Sequence, residues 1–232
     1  MTIALVIPVF HEQETLPRLL GSILPMKFDE VIVVDGGSRD KTVEVAKPLL
    51  DQFRCGHTQL LTAIRGRAPQ MNAGAAHAKS EILVFLHADT ELPNNARYLI
   101  ETTMRDSSCV GGRFDVRFPR DRGWAWIISR MMNLRSRCTG TCTGDQTIFV
   151  RRNIFIRLGG FADIPLMEDI EFTHRLKKMG RISALPDKVT TSFRRWERHG
   201  PLRTILRMWR LRFLYWSGQD PHKLKRYYDT VR

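Results

Sequence analysis

The sequence predicts an α/β fold in which a mostly parallel sheet is flanked by helices. Apolar runs typical of buried strands occur at Ala4–Val9, Val31–Asp35, Gln59–Thr62 and Ile82–Leu86. Segments with helical spacing of apolar residues follow the first three runs, and this alternation is typical of doubly wound sheets. The Ile82–Leu86 run is apolar throughout, as expected for a strand that is buried on both faces of such a sheet.

The second half of the chain is less regular. Val110–Phe118 alternates in polarity and is interpreted as an antiparallel strand, while Trp124–Leu134 and Met167–Met179 have helical patterns. Arg194–Trp216 is rich in arginine, and the apolar spacing from Leu202 to Trp216 predicts a basic amphipathic helix in this segment. We therefore expect one domain over residues 1–195 and a basic helical appendage over residues 196–232, which either packs on the core or faces a membrane.

Composition narrows the class of protein. A length of 232 residues suits one large α/β domain, and the formal net charge of +13 indicates affinity for nucleic acid, anionic lipid surfaces or phosphorylated small molecules. Charge alone does not choose among these partners. The sequence has no apolar run long enough to span a bilayer and no signal-peptide pattern at its N-terminus, which predicts a cytoplasmic protein. Its four cysteines fit no zinc pattern and are expected to be reduced thiols.

Two acidic residues end predicted strands, where ligands of open α/β sheets bind. Asp89 follows the Ile82–Leu86 run, so it is a candidate ligand for a metal or substrate, or else a solvated turn residue. Asp35 ends the second strand before two glycines and could accept hydrogen bonds from a ribose or a base, or else form a structural turn. The Gly-x-Gly-x-x-Gly fingerprint of dinucleotide-binding proteins is absent, so a standard Rossmann site is not predicted.

Two further segments carry candidate functional groups. Arg67, Gln70 and Asn72 lie near a helix start, a position that suits a phosphate-bearing or polar ligand. Glu168 and Asp169 open another predicted helix, where acids either complement the helix dipole or supply a general base. The residues alone leave both interpretations open.

Taken together, the motifs resemble a known family. They occur in the order I-P-V-F-H-E, V-V-D-G-G-S-R-D-K-T, R-A-P-Q-M-N-A-G, L-H-A-D-T, G-D-Q-T-I-F-V-R-R, L-G-G-F and L-M-E-D-I-E-F. Over roughly Thr2–Ser192 the chain resembles the family 2 glycosyltransferases, which have a GT-A fold. More narrowly, it resembles the bacterial radical-SAM/selenodomain-associated transferases.

The resemblance implies a role for each matching residue. The base-pocket segment matches Pro8, Val9 and Glu12, and the strand-end acid that contacts uracil or ribose matches Asp35. The last acid of the family's D-x-D element matches Asp89, which would bind Mg²⁺ or Mn²⁺, with His199 as an additional metal-ligand candidate. The catalytic base matches Asp169. The remaining nucleotide-sugar candidates are Gly37, Arg67, Gln70, Asn72, His87 and Ala88, and the acceptor and donor-sugar loop comprises Gly144, Asp145, Gln146 and Glu168.

The sequence departs from the family pattern at three places. His11 stands where the family commonly has Asn, and His87 stands at the first acidic position of D-x-D. Ser192–Trp196 has the Arg-Trp of the Q-x-x-R-W box but lacks its Gln. A processive polysaccharide synthase is therefore disfavoured.

The implied activity is an inverting, metal-dependent transfer of a sugar from a UDP- or GDP-sugar to an acceptor hydroxyl, with lipid-linked acceptors among the candidates. Three alternatives remain: a nucleic-acid-binding protein that uses the Arg/Trp-rich C-terminus, a nucleotidyltransferase, and a catalytically silent sugar-nucleotide binder. Nucleic-acid binding is disfavoured because no helix-turn-helix, zinc-finger or RNP pattern occurs. The basic C-terminal segment also suits an anionic surface on the inner face of the plasma membrane.

Overall fold

A computed structural model describes residues 1–53, 56–225 and 227–228, so Cys55 and its predicted thiol lie outside the described residues. The strands are β1 (Ile3–Val9), β2 (Glu30–Asp35), β3 (His57–Thr62), β4 (Ile82–Phe85), β5 (Thr90–Glu91), β6 (Cys109–Arg117), β7 (Ile148–Arg151) and β8 (Arg181–Thr191). The helices are α1 (Leu16–Ile23), α2 (Thr42–Leu50), α3 (Arg67–His77), α4 (Ala96–Met104), α5 (Trp124–Thr139), α6 (Arg152–Arg157), α7 (Glu168–Leu176), α8 (Arg194–His199), α9 (Pro201–Trp216) and α10 (Pro221–Lys225).

The first half of the chain forms the predicted parallel sheet. β1 pairs in parallel with β2 and with β4, and β2 pairs in parallel with β3. In this register Val9 lies beside Asp35, so the polar residues after these strands project from one edge of the sheet. That edge is where ligands of open α/β sheets bind.

The second half extends the sheet with mixed pairing, in the order β3-β2-β1-β4-β7-β6-β8-β5. β7 is antiparallel to both β4 and β6, whereas β6 is parallel to β8. The antiparallel strand predicted at Val110–Phe118 is confirmed as β6. Strands β7 and β8 have no counterpart among the predicted elements.

Apolar side chains cover both faces of the central part of the sheet, which explains why β1 and β4 are apolar almost throughout, whereas β3 at the edge of the sheet is partly polar and not buried. One cluster joins β1, β2 and β4 to α1, α2 and α4, and the other joins the opposite face to α3, α6 and α7. On the second face α3 approaches β1 closely at Gly74, where an added Cβ would lie 2.4 Å from Cγ1 of Val6. Glycine therefore allows close packing of helix on strand at this position.

The C-terminal segment contains two successive helices. Gly200 has a φ of 77° and separates α8 from α9, which begins at Pro201 and carries the predicted apolar spacing from Leu202 to Trp216. Both helices pack on the rest of the protein: Leu211 joins a cluster with Leu166 and Ile170, and Trp196 packs against the cluster around Phe118. The predicted boundary after residue 195 falls within α8, and the division into two units stays a prediction.

The face of α9 that contacts the protein is not its most apolar one. Leu211 and Thr204 are buried, whereas the side chains at the expected apolar spacing are mostly exposed. The exposed apolar residues of α9 are Leu202, Leu206, Trp209, Phe213 and Trp216. Helix α5 likewise exposes Trp124, Ile127, Met131 and Leu134. Within the described ranges, every helix falls short of the length and hydrophobicity needed to cross a bilayer.

Candidate functional site

A cavity of about 720 Å³ opens at the carboxyl edge of the parallel strands. On one side it is lined by residues that follow β1 and β4, and on the other by α5, α7, α8 and α9. Of the residues predicted from the sequence, it brings together Pro8, Glu12, Arg67, His87, Ala88, Asp89, Asp145, Glu168 and Asp169. The remaining predicted residues, Val9, Asp35, Gly37, Gln70, Asn72, Gly144, Gln146 and His199, are not among those that line it.

The Asp35 turn is closed by its own backbone. The N–H groups of Gly37 and Ser38 each donate to Oδ2 of Asp35 at 2.9 Å. The other carboxylate oxygen, Oδ1, is buried and has no hydrogen-bond partner among the described residues. Gly37 has a φ of 85°, a conformation that glycine adopts without strain. The turn thus holds one acceptor oxygen that is free for a ligand's hydroxyl or N–H.

Gln70 and Asn72 use their amides to hold backbone segments. Nε2 of Gln70 donates to the carbonyls of Val9 and Val34 at 2.8 and 2.7 Å, which ties α3 to the ends of β1 and β2. Asn72 makes two hydrogen bonds with the backbone of Phe161, at 2.8 and 2.9 Å. Both side chains therefore position the loops, and their predicted contact with a nucleotide sugar stays a prediction.

His87 and the Gly144–Gln146 turn form one contact. The His87 ring is buried, with Nδ1 at 3.6 Å from Oδ1 of Asp145. An added Cβ at Gly144 would lie 2.4 Å from Cε1 of His87, so the ring occupies the space that any other residue would need. Gln146 and Thr143 close the turn with a capping box. His87, which departs from the family pattern, thus packs against the Gly144–Gln146 turn, and the predicted role of this turn as an acceptor loop stays a prediction.

Asp145 ionises readily in this setting. Its packed surroundings oppose ionisation, but the neighbouring His87, 3.6 Å away, and the guanidinium of Arg67 hold the pKa of Asp145 well below its usual range. Arg67 in turn lies among acidic groups that include Tyr228, Glu168 and Asp145, and these raise its pKa although burial favours the neutral form. The cavity therefore keeps fixed charges of both signs close together.

Asp169 and Glu168 begin α7, after Met167 in a left-handed conformation with φ 70°. Oδ2 of Asp169 accepts a hydrogen bond from the N–H of Gly144 at 2.9 Å, and Oδ1 accepts one from the N–H of Ile170 at 2.7 Å. Burial, and then the charge of Asp169, raise the pKa of Glu168 to about 7. The two neighbouring carboxylates therefore differ: Asp169 is oriented by backbone donors, whereas buried Glu168 holds a proton near neutrality.

Asp89 is the predicted cation ligand. Its carboxylate lines the cavity, and its nearest cation is Nη2 of Arg194, at 4.0 Å from Oδ2. Within the part of the chain that the structure describes, no group of three or more His, Cys, Asp or Glu residues could enclose a metal. A lone carboxylate fits Mg²⁺ or Mn²⁺ if a ligand's phosphate oxygens and water complete the coordination shell, as these hard ions commonly require. His199 ends α8 and does not line the cavity.

The helical wall of the cavity was not predicted from the sequence. It contains Met131 and Arg135 from α5, Arg195 from α8, and Trp209 and Arg212 from α9. The amphipathic spacing of α5 and α9 was visible in the sequence, but which of their residues face the strand edge depends on how the helices pack. Charge pattern alone could not identify Arg135 or Arg212 among so many arginines.

Curated relatives are similar over part of the chain. The undecaprenyl-phosphate 4-deoxy-4-formamido-L-arabinose transferase of Pseudomonas paraeruginosa (strain DSM 24068 / PA7) is 29% identical over 158 residues, which cover 64% of this chain and 46% of the relative. The probable glycosyltransferase YdaM of Bacillus subtilis (strain 168) is 24% identical over 213 residues, which cover 81% of this chain and 50% of the relative. The chain thus spans about half the length of the curated relatives it matches.

Solved structures share the fold. The mannosyltransferase PcManGT from Pyrobaculum calidifontis, in complex with GDP-Man and Mn²⁺, matches with a TM-score of 0.69 at 22% identity and covers 90% of this chain and 60% of its own. S. aureus TarS 1-349 in complex with UDP matches with a TM-score of 0.68 at 20% identity, and the match covers 83% of this chain and 60% of TarS 1-349. These similarities confirm the predicted GT-A fold.

The family model described as glycosyl transferase family 2 matches residues 4–164, a span that includes the Asp35 turn, His87, Asp89 and Asp145. It runs from β1 to beyond α6 and so covers the whole parallel half of the sheet together with the acceptor loop. The chain belongs to glycosyl transferase family 2.

Proposed function

We propose that this protein transfers a sugar from a nucleoside-diphosphate sugar to a hydroxyl of a lipid-linked acceptor, with the help of a divalent cation. The observation that carries this proposal is the cavity itself, in which Asp89 at the strand edge and Asp169 at the start of α7 share one space with apolar side chains of α5 and α9. A polar donor, a base and an apolar acceptor wall are the three components that such a transfer requires.

The donor would bind at the strand edge. Asp35 ends β2 beside Val9 of β1, and its unpaired buried oxygen is suited to a ribose hydroxyl or a base N–H. Pro8 and Glu12 line the cavity. Asp89 would hold Mg²⁺ or Mn²⁺, which when bound neutralises the charge that develops on the departing diphosphate. Similar folds with GDP-Man and Mn²⁺, or with UDP, support this assignment. The sugar, hexosyl or otherwise, and the base stay open.

Asp169 would act as the general base. Its carboxylate takes the proton of the acceptor hydroxyl while that oxygen bonds to the anomeric carbon, and the bond from that carbon to the diphosphate oxygen breaks on the opposite face. The configuration at the anomeric carbon is therefore inverted. The N–H groups of Gly144 and Ile170 fix the carboxylate by donating one hydrogen bond to each oxygen. Each oxygen keeps a lone pair for the proton.

A lipid-linked acceptor is supported by the wall opposite the strand edge. Met131 of α5 and Trp209 of α9 line the cavity and are largely exposed, so an apolar chain could leave the cavity between the two helices. Relatives named as undecaprenyl-phosphate 4-deoxy-4-formamido-L-arabinose transferases have a lipid phosphate in their names, which supports the lipid part of this acceptor. The narrower resemblance to the radical-SAM/selenodomain-associated transferases rests on the sequence motifs and remains part of the proposal.

We also propose that α9 lies on an anionic membrane surface, on the inner face of the plasma membrane if the cytoplasmic location predicted from the sequence is correct. The exposed apolar stripe of α9 is flanked along the helix by Arg203 and Arg210, a combination typical of interfacial helices. Replacing both Trp209 and Phe213 by Ala should reduce binding to vesicles of phosphatidylglycerol and phosphatidylcholine by at least about 10-fold, because each buried aromatic contributes about 1.5–3 kcal/mol. Equal vesicle binding by wild type and variant in a flotation assay would refute this orientation.

The proposed activity is tested by incubating the protein with Mn²⁺, a panel of UDP- and GDP-sugars and a bacterial lipid extract, followed by mass spectrometry of the lipid fraction. We expect one donor to add a sugar mass to a phosphate-containing lipid. Release of nucleoside diphosphate without any glycosylated lipid would refute the lipid-linked acceptor. Absence of binding and of turnover with every donor would refute the transferase proposal itself.

A further inference from the structure

Two arginines lie where the main cavity meets a second, smaller one. Arg135 of α5 and Arg212 of α9 line both the cavity that contains Asp169 and an adjoining pocket of about 220 Å³. Ile170, next to the proposed base, also lines both spaces. The strand-edge residues, including Asp89, line only the main cavity. The arginine pair therefore stands beside the base, on the side away from the proposed nucleotide position.

The guanidinium groups of this pair have buried donors without acceptors. Nε and Nη2 of Arg135 and Nε of Arg212 are inaccessible to solvent and have no hydrogen-bond partner among the residues that the structure describes. Leaving such donors unpaired is costly, because each N–H has lost its water without gaining a protein acceptor. Arg135 lies in the field of Asp169 and Asp145, but its Nε and Nη2 form no hydrogen bond within the described residues. The buried N–H groups of Arg135 and Arg212 thus lack hydrogen-bond acceptors that a ligand could supply.

The chemistry of the pocket specifies which anion fits. Guanidinium N–H groups match the oxygens of a phosphate, which accept several hydrogen bonds at once. The smaller pocket is walled on its outer side by Phe213 and Trp216, whose side chains are 73% and 72% exposed. Moving outward, the surface therefore offers first the base Asp169, then the arginine pair, then exposed aromatic rings. This order matches a molecule that carries a hydroxyl, a phosphate and an apolar chain in that sequence.

We propose that Arg135 and Arg212 bind the phosphate group of the acceptor and so select acceptors in which a phosphate joins the reacting part to an apolar chain. This inference rests on the proposed function and specifies its acceptor class. The phosphate is not consumed: it stays on the acceptor, and the two arginines fix the distance between the lipid chain and the hydroxyl that reaches Asp169. The apolar chain leaves along Phe213 and Trp216.

The test measures binding of three probes by tryptophan fluorescence: farnesyl phosphate, farnesol and inorganic phosphate. Wild-type protein should bind farnesyl phosphate at least about 10-fold more tightly than either of the others, because only this probe supplies both the charge-assisted hydrogen bonds and the apolar contact. Arg135→Gln and Arg212→Gln should each weaken farnesyl phosphate binding by about 10- to 100-fold and leave farnesol binding unchanged. Equal binding of farnesol and farnesyl phosphate to the wild type would overturn the proposal.

Arg130→Gln is the matched control, since it removes the same charge from α5 at an exposed position where the guanidinium stacks over Trp126. It should bind farnesyl phosphate as the wild type does. A loss of affinity equal to that of Arg135→Gln would mean that only overall charge matters, which would contradict the proposal.

Thermal unfolding distinguishes a loss of binding from a loss of folding. Because the buried N–H groups of Arg135 lack hydrogen-bond partners, Arg135→Gln should unfold at or above the wild-type temperature. A lower temperature would indicate a structural role and contradict the assignment.

Nucleotide binding, measured on the same samples, separates this inference from the function on which it rests. The Arg135 and Arg212 variants should bind UDP or GDP with Mn²⁺ as the wild type does. If both variants bind nucleotide normally and also bind farnesyl phosphate as tightly as the wild type does, the phosphate site alone is overturned. Failure of the wild type to bind any nucleotide would overturn the donor assignment while leaving the phosphate site to be judged by its own variants.

Discussion

The two sides of the cavity differ in how their polar groups are satisfied. At the strand edge, backbone groups engage Oδ2 of Asp35 and the amides of Gln70 and Asn72, while Oδ1 of Asp35 is buried without a partner among the described residues. In the helical wall, the donors of Arg135 and Arg212 are buried without acceptors. Most polar groups of the strand edge are therefore paired before any ligand arrives, whereas several donors of the helical wall are left for a ligand.

This difference suggests that the two sides of the cavity bind different ligands. A preorganised edge suits a ligand that is the same in every turnover, such as a nucleotide, because little ordering remains to be done on binding. A wall with unpaired donors and exposed aromatic rings suits the substrate that differs between related enzymes, which under the proposed function is the acceptor. The substitutions below act on one side or the other and should have separable effects.

The largest effect is expected at Asp169, between the two sides. Asp169→Asn keeps the shape of the side chain but cannot take a proton, so transfer should fall by about 10²- to 10⁴-fold. Nucleotide affinity should not change, because the strand edge is untouched. Glu171→Gln is the control, since Glu171 lies on the same helix but pairs with Arg175. Release of nucleoside diphosphate and formation of glycosylated product report transfer; near-normal transfer by Asp169→Asn would exclude it as the base.

Asp89→Asn tests the strand edge. Loss of the carboxylate should weaken Mn²⁺-dependent nucleotide affinity by about 10- to 100-fold, because the hard cation loses its charged protein ligand. Affinity measured in EDTA should change much less. Glu91→Gln is a nearby control, since Glu91 pairs with Arg18. Calorimetric titration with UDP and GDP, each with and without Mn²⁺, decides the point, and unchanged metal-dependent affinity would remove Asp89 from the metal site.

Glu168, on the helical side of the cavity, makes the free energy of unfolding depend on pH. The pKa of Glu168 is 4.5 in the unfolded state and about 7 in the folded state. Between these two pH values the folded protein keeps the carboxyl proton that the unfolded protein has released. The stability supplied by this group is fully present below pH 4.5 and is lost as the pH rises through about 7. Glu168→Gln should abolish this contribution, on the order of 2 kcal/mol, in urea unfolding at pH 5 and pH 8. An identical pH trend in wild type and variant would contradict the raised pKa.

The smallest effect is expected at the acceptor loop. Gly144→Ala places a Cβ against the His87 ring, which must shift away from Asp145 and should cost about 1 kcal/mol. Gly21→Ala is the control, because no atom lies within 4 Å of the added Cβ in α1, and it should stabilise by about 0.5–1 kcal/mol. Urea unfolding measures both changes. A Gly144→Ala variant as stable as Gly21→Ala would show that His87 is not packed as described.

The sequence predicts the strand edge far better than the helical wall, for physical reasons. Buried parallel strands are apolar throughout and end abruptly in polar residues, so Asp35 and Asp89 stand out by position. Contacts across the fold leave no such local signal. The amphipathic pattern of α9 predicted that the Trp209 face packs on the protein or meets a membrane, and in the structure that face is mostly exposed while Leu211 faces inward, so the pattern alone does not identify the buried residues. Likewise, nothing local distinguishes His87 as the partner of Gly144.

The central claim is that the strand edge binds a nucleotide through a divalent cation. Thermal unfolding with UDP, GDP and their sugars, each with and without Mn²⁺, tests it most directly, because a ligand at 100 times its dissociation constant stabilises the folded state by about 2.7 kcal/mol. We predict a rise in unfolding temperature with at least one nucleotide that depends on Mn²⁺ and is lost in Asp89→Asn. Unfolding temperatures that no nucleotide changes, with or without the metal, would contradict the account.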